Sequence, residues 1–276
     1  MQGTTAAWVE NRPTGGRRGL DWRELWHYRE LVAFLAMRDL KVRYKQAAFG
    51  VLWAVVQPLA GLLVFTIVFG KLAKVPSDGV PYPLFAFAGM TIWTLFSRGV
   101  DSATTSLVNN AALVTKVYFP RVAAPLASVL PRLVDFAVSL CLLGLLLVVT
   151  GRFPGWAVVL LPLVVLWAVV LAFGVGLTLA TVQVRFRDAH HGLGLLMQMW
   201  LYASPVAYPT SLVPPDWRWA YALNPLTGLL DTARWMLLGT SPPGRDALLS
   251  LAVTAALLAL GVRTFARNER RFADVI

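Results

Sequence analysis

Charge is scarce in this chain. Only 14% of its 276 residues are Asp, Glu, Lys or Arg, about half of the roughly 25% with which a soluble domain coats its surface. With 57% hydrophobic residues and a mean hydropathy of +0.63, the bilayer is the expected solvent, and the same hydrophobicity excludes disorder. Cysteine is nearly absent: Cys141 stands alone in an apolar run, which excludes a disulfide scaffold. Of three histidines, His190 and His191 are adjacent and diverge on a helix, and no HExxH sequence or Cys/His cluster is present, so metal catalysis has little support. A nucleotide-binding loop is missing as well. Gly70-Lys71 has Phe65 where that loop requires Gly, and Leu72 where it requires Ser or Thr. No carboxylate pair sits toward the outer face and none near mid-span, which counts against a hydrolytic enzyme and against a proton relay.

What the chain has instead is long uncharged runs. A membrane-crossing helix needs about 20 mainly apolar residues to span a hydrocarbon core of roughly 30 Å. Six segments are expected to cross: Gln46–Gly70, Gly79–Ser97, Ala123–Thr150, Phe153–Val184, Gly192–Tyr208, and a last one from Asp246 to Phe265. The first 45 residues hold no apolar core followed by a small-residue cleavage site, so no cleaved signal peptide is expected. The chain divides into an N-terminal segment, 1–45, a six-span region, 46–265, and a tail, 266–276.

The net charge of +11 and pI near 10.4 would point to nucleic acid in a soluble protein. Their placement points elsewhere. With the N-terminus inside, eighteen Lys and Arg residues fall on the cytoplasmic side and six outside, leaving Arg132 within the third span. The positive-inside rule then puts both termini in the cytoplasm. No nucleic-acid partner is expected.

The segments between spans carry the functional signals. From Asp21 the chain reads as a helix, with Asp21 as N-cap and Glu24 three residues on in the manner of a capping box. Trp22, Leu25, Tyr28, Val32 and Leu35 form one apolar stripe, with Arg23, His27, Glu30 and Arg38 opposite, and Leu31 and Phe34 blurring the pattern. Two compatible readings stand: a helix in the cytoplasmic membrane interface, with Trp22 and Trp26 at headgroup depth, or a helix packed on a partner protein. Between the second and third spans, Lys116 and Arg121 frame Val117, Tyr118 and Phe119. Three exposed apolar residues in a row exceed what a simple turn needs and suggest a docking element, against interfacial burial as the alternative. Arg98 with Asp101 and Arg132 with Asp135 have i,i+3 spacing, which favours structural ion pairs. The outer segment Pro209–Asp246 is rich in Pro and aromatics, and its Leu226–Leu238 stretch is apolar enough to dip into the membrane without crossing.

These residues resemble a known family. RDLKVRYKQAAFGVLWAVVQP from Arg38 to Pro58, KVYFPR from Lys116 to Arg121, Asn224-Pro225, and the terminal ERRFADVI are similar to the permease subunit of ABC exporters of polysaccharide and polyol phosphate. The likeness runs through nearly the whole chain in motif order. It implies an all-α membrane protein of six spans with an N-terminal amphipathic interface helix, a cytoplasmic coupling helix and an external re-entrant segment, assembled as a homodimer in the bacterial inner membrane. It also implies a separate ATP-binding subunit that holds ATP and Mg, so that this chain needs no cofactor and is no enzyme. The cargo would be a lipid-linked glycan of the O-antigen, capsule or teichoic acid type. Lys116, Val117, Tyr118, Phe119, Pro120 and Arg121 would couple to the ATPase, and Trp22, Trp26, Arg38, Lys41, Arg43 and Lys45 would meet membrane lipid or the substrate head group.

Because sugars stack on aromatic faces, Trp53, Phe65, Phe69, Trp93, Phe96, Trp200 and Tyr202 are channel-lining candidates, against the plain alternative that each faces lipid or a neighbouring helix. An ion-coupled transporter or flippase would need a titratable mid-membrane site and often an internal repeat, and neither is evident. An ABC exporter of drugs or small lipids is the narrower alternative. The glycan itself is not written in the residues.

Overall fold

The computed structural model describes residues 22–45, 52–186, 188–269 and 272, and these form helices and connecting turns with no strand among them. Asp21, the first six residues of the expected first span, Arg187, Arg270, Arg271 and 273–276 lie outside the described residues, as do the side chains of Trp22 and Lys45. In chain order the helices are α1 (Trp22–His27), α2 (Arg29–Lys45), α3 (Leu52–Phe65), α4 (Tyr82–Asn109), α5 (Ala111–Lys116), α6 (Ala123–Val129), α7 (Arg132–Val149), α8 (Leu161–Arg185), α9 (Ala189–Ala203), α10 (Arg218–Ala222), α11 (Pro225–Leu238) and α12 (Arg245–Asn268).

Local sequence explains where these begin and end. Helix α11 opens with Asn224 accepting from the Leu226 amide at 3.1 Å and with Pro225 at its first position, which serves the orphan donors of a first turn. It closes at Gly239, whose φ of 68° is the left-handed stop that glycine adopts without strain, its N–H bonded to the Trp235 carbonyl. Pro58 sits inside α3, and the helix widens into a π-helical stretch over Thr66–Leu72, a place where the regular hydrogen-bond ladder is re-spaced.

Among the described residues, four helical segments are long and apolar enough to cross a membrane: Leu52–Leu72, Ala123–Val149, Trp156–Arg185 and Arg245–Asn268. Two of the six expected spans fall outside this set. Gly79–Ser97 lies in α4, which has 28 residues but carries Arg98, Asp101 and many Ser, Thr and Gly positions. Gly192–Tyr208 lies mostly in α9, whose 15 residues reach about 22 Å, short of the hydrocarbon thickness.

The bundle is built around α4 and α8, with α7, α11 and α12 packed beside them. Ile92, Phe96 and Val100 of α4 meet Leu171, Ala172 and Val175 of α8 in one fully or nearly buried cluster. Lipid is as apolar as leucine, so hiding leucine from it gains little. Helices in a bilayer associate instead where small residues allow backbones to touch. Helix α12 approaches α8 in this way: a Cβ on Gly261 would stand 2.2 Å from the Gly174 carbonyl oxygen. On the outer surface, Leu63, Val159, Leu163 and Leu248 are exposed, as a lipid-facing surface requires.

Two poles are identifiable from the bonds between connections. At one, Ser211 donates to Asp78, Arg152 donates to the Gly79 carbonyl, and the Tyr82 hydroxyl donates to the Ala207 carbonyl. At the other, which carries both described chain ends, Leu25, Val32 and Leu35 pack with Phe119, Val122, Phe265 and Phe272. This corrects the reading of the N-terminal stripe. Its Leu25, Val32 and Leu35 are buried against this chain's own domain, with α2 on α6, and the large apolar residues left exposed include Trp26, Phe34, Met37 and Val42. Of the two blurring residues, Leu31 packs against the same cluster and Phe34 lies on the exposed face.

Replacing Gly261 by Val forces a branched side chain into the Gly174 backbone, and overpacking of this kind costs about 1–3 kcal/mol. Gly144, whose added Cβ would meet nothing within 4 Å, is the control. Heating the detergent-solubilised protein should show early loss of monodisperse material for Gly261→Val and unchanged or improved survival for Gly144→Ala.

Candidate functional site

The pole with the chain ends brings together the segments singled out in the sequence. Helix α5 ends at Lys116, after which the chain extends through Val117 toward Pro120. Lys116, Val117 and Tyr118 are exposed, Pro120 and Arg121 half-buried, and Phe119 is buried at 4%. The expected run of three exposed apolar residues is therefore two. Strict strand alternation would place Val117 and Phe119 on one side, but the chain bends at both residues, and Phe119 turns inward to anchor the segment while Val117 and Tyr118 face out. The segment is fastened on both flanks. The Tyr118 hydroxyl lies 3.4 Å from Glu24 of α1, and the Arg121 amide donates to the Glu269 carboxylate at 3.1 Å, with the Arg121 guanidinium donating to the Glu269 carbonyl.

Helix α2 is tied to the bundle by its cations. The Arg38 guanidinium donates to Asp39 at 2.7 Å and to the Asn110 side chain at 2.6 Å, and Asn110 in turn donates to the Ser106 carbonyl of α4. Arg43 reaches Asp135 of α7 at 2.5 Å. Lys41 is exposed, and Lys45 is the last residue of the helix. Trp26 is exposed on the outward face.

Asp135 is the residue that local reasoning undervalued. The i,i+3 pairing with Arg132 is present at 3.6 Å, but Arg98 approaches Asp135 at 4.0 Å in place of its own i,i+3 neighbour, and Asp101 faces His190 at 3.9 Å. Three arginines from α2, α4 and α7 thus converge on one carboxylate. The sequence signals were the i,i+3 spacing of Arg132 and Asp135 and the interruption of apolar stretches by Arg98, Arg132 and Asp135, and neither brings Arg43 to the group. Arg234 of α11 was equally overlooked. It is 2% exposed, lies over the Phe85 ring at 3.7 Å, and donates to the Pro205 and Val206 carbonyls at 2.7 and 2.8 Å. It clamps the chain leaving α9 to α11 and α4.

The aromatic candidates separate by burial. Phe96 is fully buried and Trp93 nearly so, with Phe96 edge-on to Trp200 at 5.2 Å, so these two are core residues of a single subunit and not channel lining in this conformation. Trp200 is half-buried, with its indole N–H on Asn224 at 3.0 Å. Phe65 and Phe69 are half-buried against each other, and Trp53 and Tyr202 are exposed. The Leu226–Leu238 stretch forms α11, a helix of about 21 Å buried among α4, α8 and α12.

A helical bundle with several segments long and apolar enough to cross a membrane, and with apolar side chains on its outer surface, has the design of a membrane-embedded protein. Residues 30–238 match the ABC-2 type transporter family, and the chain belongs to that family. It is 33% identical over 258 residues to the O-antigen export system permease protein RfbA of Myxococcus xanthus, covering 92% of this chain and 98% of that protein. It is 25% identical over 252 residues to an O-antigen export system permease protein RfbA of Klebsiella pneumoniae, covering 90% and 95%. It is also 24% identical over 209 residues to the polysialic acid transport protein KpsM of Escherichia coli, covering 74% and 79%.

Burial pushes the Glu269 carboxyl up from its ordinary 4.5, against the opposing pull of the Arg121 amide and guanidinium. The folded chain then holds this proton more tightly than the unfolded one, so the contribution is full below the ordinary value and is lost as pH rises through the raised one. Unfolding in detergent, followed from about pH 4 to about pH 8, should show stability declining over that window, with a flatter profile for Glu269→Gln.

Proposed function

We propose that this chain is the membrane-spanning subunit of an ATP-driven exporter that moves a lipid-linked polysaccharide or polyol phosphate polymer across the bacterial inner membrane. The observation that carries this reading is the likeness to the Myxococcus xanthus O-antigen permease, which extends over almost the whole of both chains. The similarity to a polysialic acid transport protein widens the cargo class to capsule-type glycans. In this reading α4 and α9 join the four long apolar segments to make six spans, both termini lie in the cytoplasm, and α11 is the external re-entrant element. Two copies assemble around the polymer path, since one subunit's helices are few to enclose a wide channel and two-fold assembly is the common solution.

ATP and Mg are bound by a separate partner subunit. Val117 and Tyr118 are the contact offered to it, supported by their exposure on a segment anchored by buried Phe119 and by Arg121 on Glu269. Displacement of that segment is transmitted to α1 through Glu24 and to the end of α12 through Glu269.

The purified chain alone is expected to hydrolyse no ATP. Replacing Val117 and Tyr118 together with Asp should abolish polymer export and co-purification of the ATPase while membrane insertion and thermal stability stay near those of the parent. Export persisting at parental rate in the double variant, or vigorous transport with no ATPase present, would overturn the reading. Phe119 is left unchanged because a charge at this buried position would unfold the segment for unrelated reasons.

A further inference from the structure

We infer that Arg43, Arg98 and Arg132 form a binding site for the phosphate of a lipid head group, and that Asp135 is an internal stand-in which the phosphate displaces. The inference deepens the function proposed above, because it names the chemical group by which a lipid-linked cargo is held.

The geometry is that of an anion cradle already filled by a side chain. One oxygen of Asp135 is met by Arg43 at 2.5 Å, Arg132 at 3.6 Å and Arg98 at 4.0 Å. A structural ion pair matches one cation with one carboxylate. Here three cations share Asp135, and the group stays net positive even when Asp101 is included, whose carboxylate faces His190. Arg132 and Asp135 lie inside the apolar helical segment Ala123–Val149 and the surplus is brought against it by Arg43 of α2 and Arg98 of α4; charges in such positions are expensive and commonly mark a substrate path. Guanidinium is the group suited to the task, because its planar fork matches two phosphate oxygens at once.

Access is graded in the same direction. Side chains of Arg43 and Arg98 are 33% and 35% exposed, whereas those of Arg132 and Asp135 are 16% and 13% exposed. Arg98 and the more buried Arg132 line a small cleft with Thr91, Thr94 and Ser139, and Arg43 reaches the cleft's Asp135 from α2. The hydroxyls of Thr91 and Ser139 donate to the carbonyls of Phe87 and Asp135, so attraction for an anion comes from the guanidiniums. Arg132 is held in position by its Nε, which donates to Ser102 at 2.6 Å. A phosphate bearing two or more negative charges satisfies three guanidiniums better than one carboxylate does, and Arg43, supplied by the separate helix α2, leaves room for exchange.

The test uses the full chain in neutral phosphatidylcholine nanodiscs, with inorganic pyrophosphate as probe and binding read by calorimetry. Arg98→Gln and Arg132→Gln should each weaken binding at least about tenfold, and Asp135→Asn should strengthen it severalfold, because the competing charge is gone while the shape remains. A structural cluster gives the opposite sign at Asp135. No pyrophosphate binding, binding indifferent to Arg98→Gln, or weaker binding in Asp135→Asn overturns the inference. Should a glutamine variant fail to fold, Arg98→Lys keeps the charge without the fork and should bind with intermediate affinity. Displacement of bound pyrophosphate by a polyprenyl pyrophosphate, with phosphatidylglycerol ineffective, identifies a lipid-linked pyrophosphate as the occupant. Equal displacement by phosphatidylglycerol identifies bulk lipid phosphate and supports the same site. Since neither ATPase nor polymer is present, export that continues in a protein unable to bind pyrophosphate removes this inference alone. Intact binding in a protein that exports no glycan removes the functional reading alone.

Discussion

Because lipid solvates apolar side chains as well as another helix does, two constraints decide how this bundle holds together: backbones must come close enough for dispersion to matter, and polar groups must find partners within the protein. The first is met where α12 crosses α8 at Gly174 and Gly261, and where α8 crosses α4 with Gly176 against Ala103. The second is met by a few concentrated polar centres. Asn224 is one of them, accepting from the Trp200 indole and the Leu226 amide while donating to Ser204. Ser250 of α12 is joined to the same centre by accepting from the Gly228 amide. One short connection thereby fixes the ends of α9 and α11 against α12.

The same economy at the other pole makes a single mechanical unit of pieces that are far apart in sequence. Phe119 and Val122 after α5, Leu25 and Leu35 of the N-terminal helices, and Phe265 and Phe272 of the C-terminal end share one apolar cluster. Polar ties run over its surface from Tyr118 to Glu24 and from Arg121 to Glu269. A force applied at Val117 and Tyr118 is therefore shared by α1 and α12, because the cluster is close-packed and does not deform piecemeal. Helix α2 leaves this cluster carrying Arg38 and Arg43 toward α4 and α7, so the Lys116–Arg121 segment and the arginine centre are joined through one helix.

How much of this was legible in the residues depended on the range of the interaction concerned. Apolar length is a local property, and the segments around Leu52–Leu72, Ala123–Val149, Trp156–Arg185 and Arg245–Asn268 follow from it directly. The stripe of Leu25, Val32 and Leu35 was equally plain, but periodicity tells which face is apolar and not what covers it, and here the cover is α6 and the chain's own C-terminal end. The contrast between exposed Tyr118 and buried Phe119 was beyond pattern reasoning, since the short extended stretch has its sides assigned by a tertiary cluster. Likewise, i,i+3 spacing places Arg98 beside Asp101 on one face of α4, yet the lower exposure at Asp135 draws the guanidinium across to α7.

Arg234 shows why buried charge in such a protein is informative even when it is wholly structural. It sits in α11 with no carboxylate closer than Asp231 at 3.9 Å, and Asp231 is itself engaged by Thr210 at 2.7 Å. Its remaining support is two backbone carbonyls and the face of Phe85. Those carbonyls belong to Pro205 and Val206, where the chain turns after α9 and cannot use them in a helix. A short helix ending inside an apolar bundle leaves orphan carbonyls that water cannot reach, and a guanidinium from the neighbouring helix supplies the missing donors. Gly89 of α4 completes the fit, since a Cβ there would lie 2.6 Å from the guanidinium. The shortness of α9 and the burial of α11 are thus one structural solution, in which the chain can turn after α9 because α11 carries an arginine to that point.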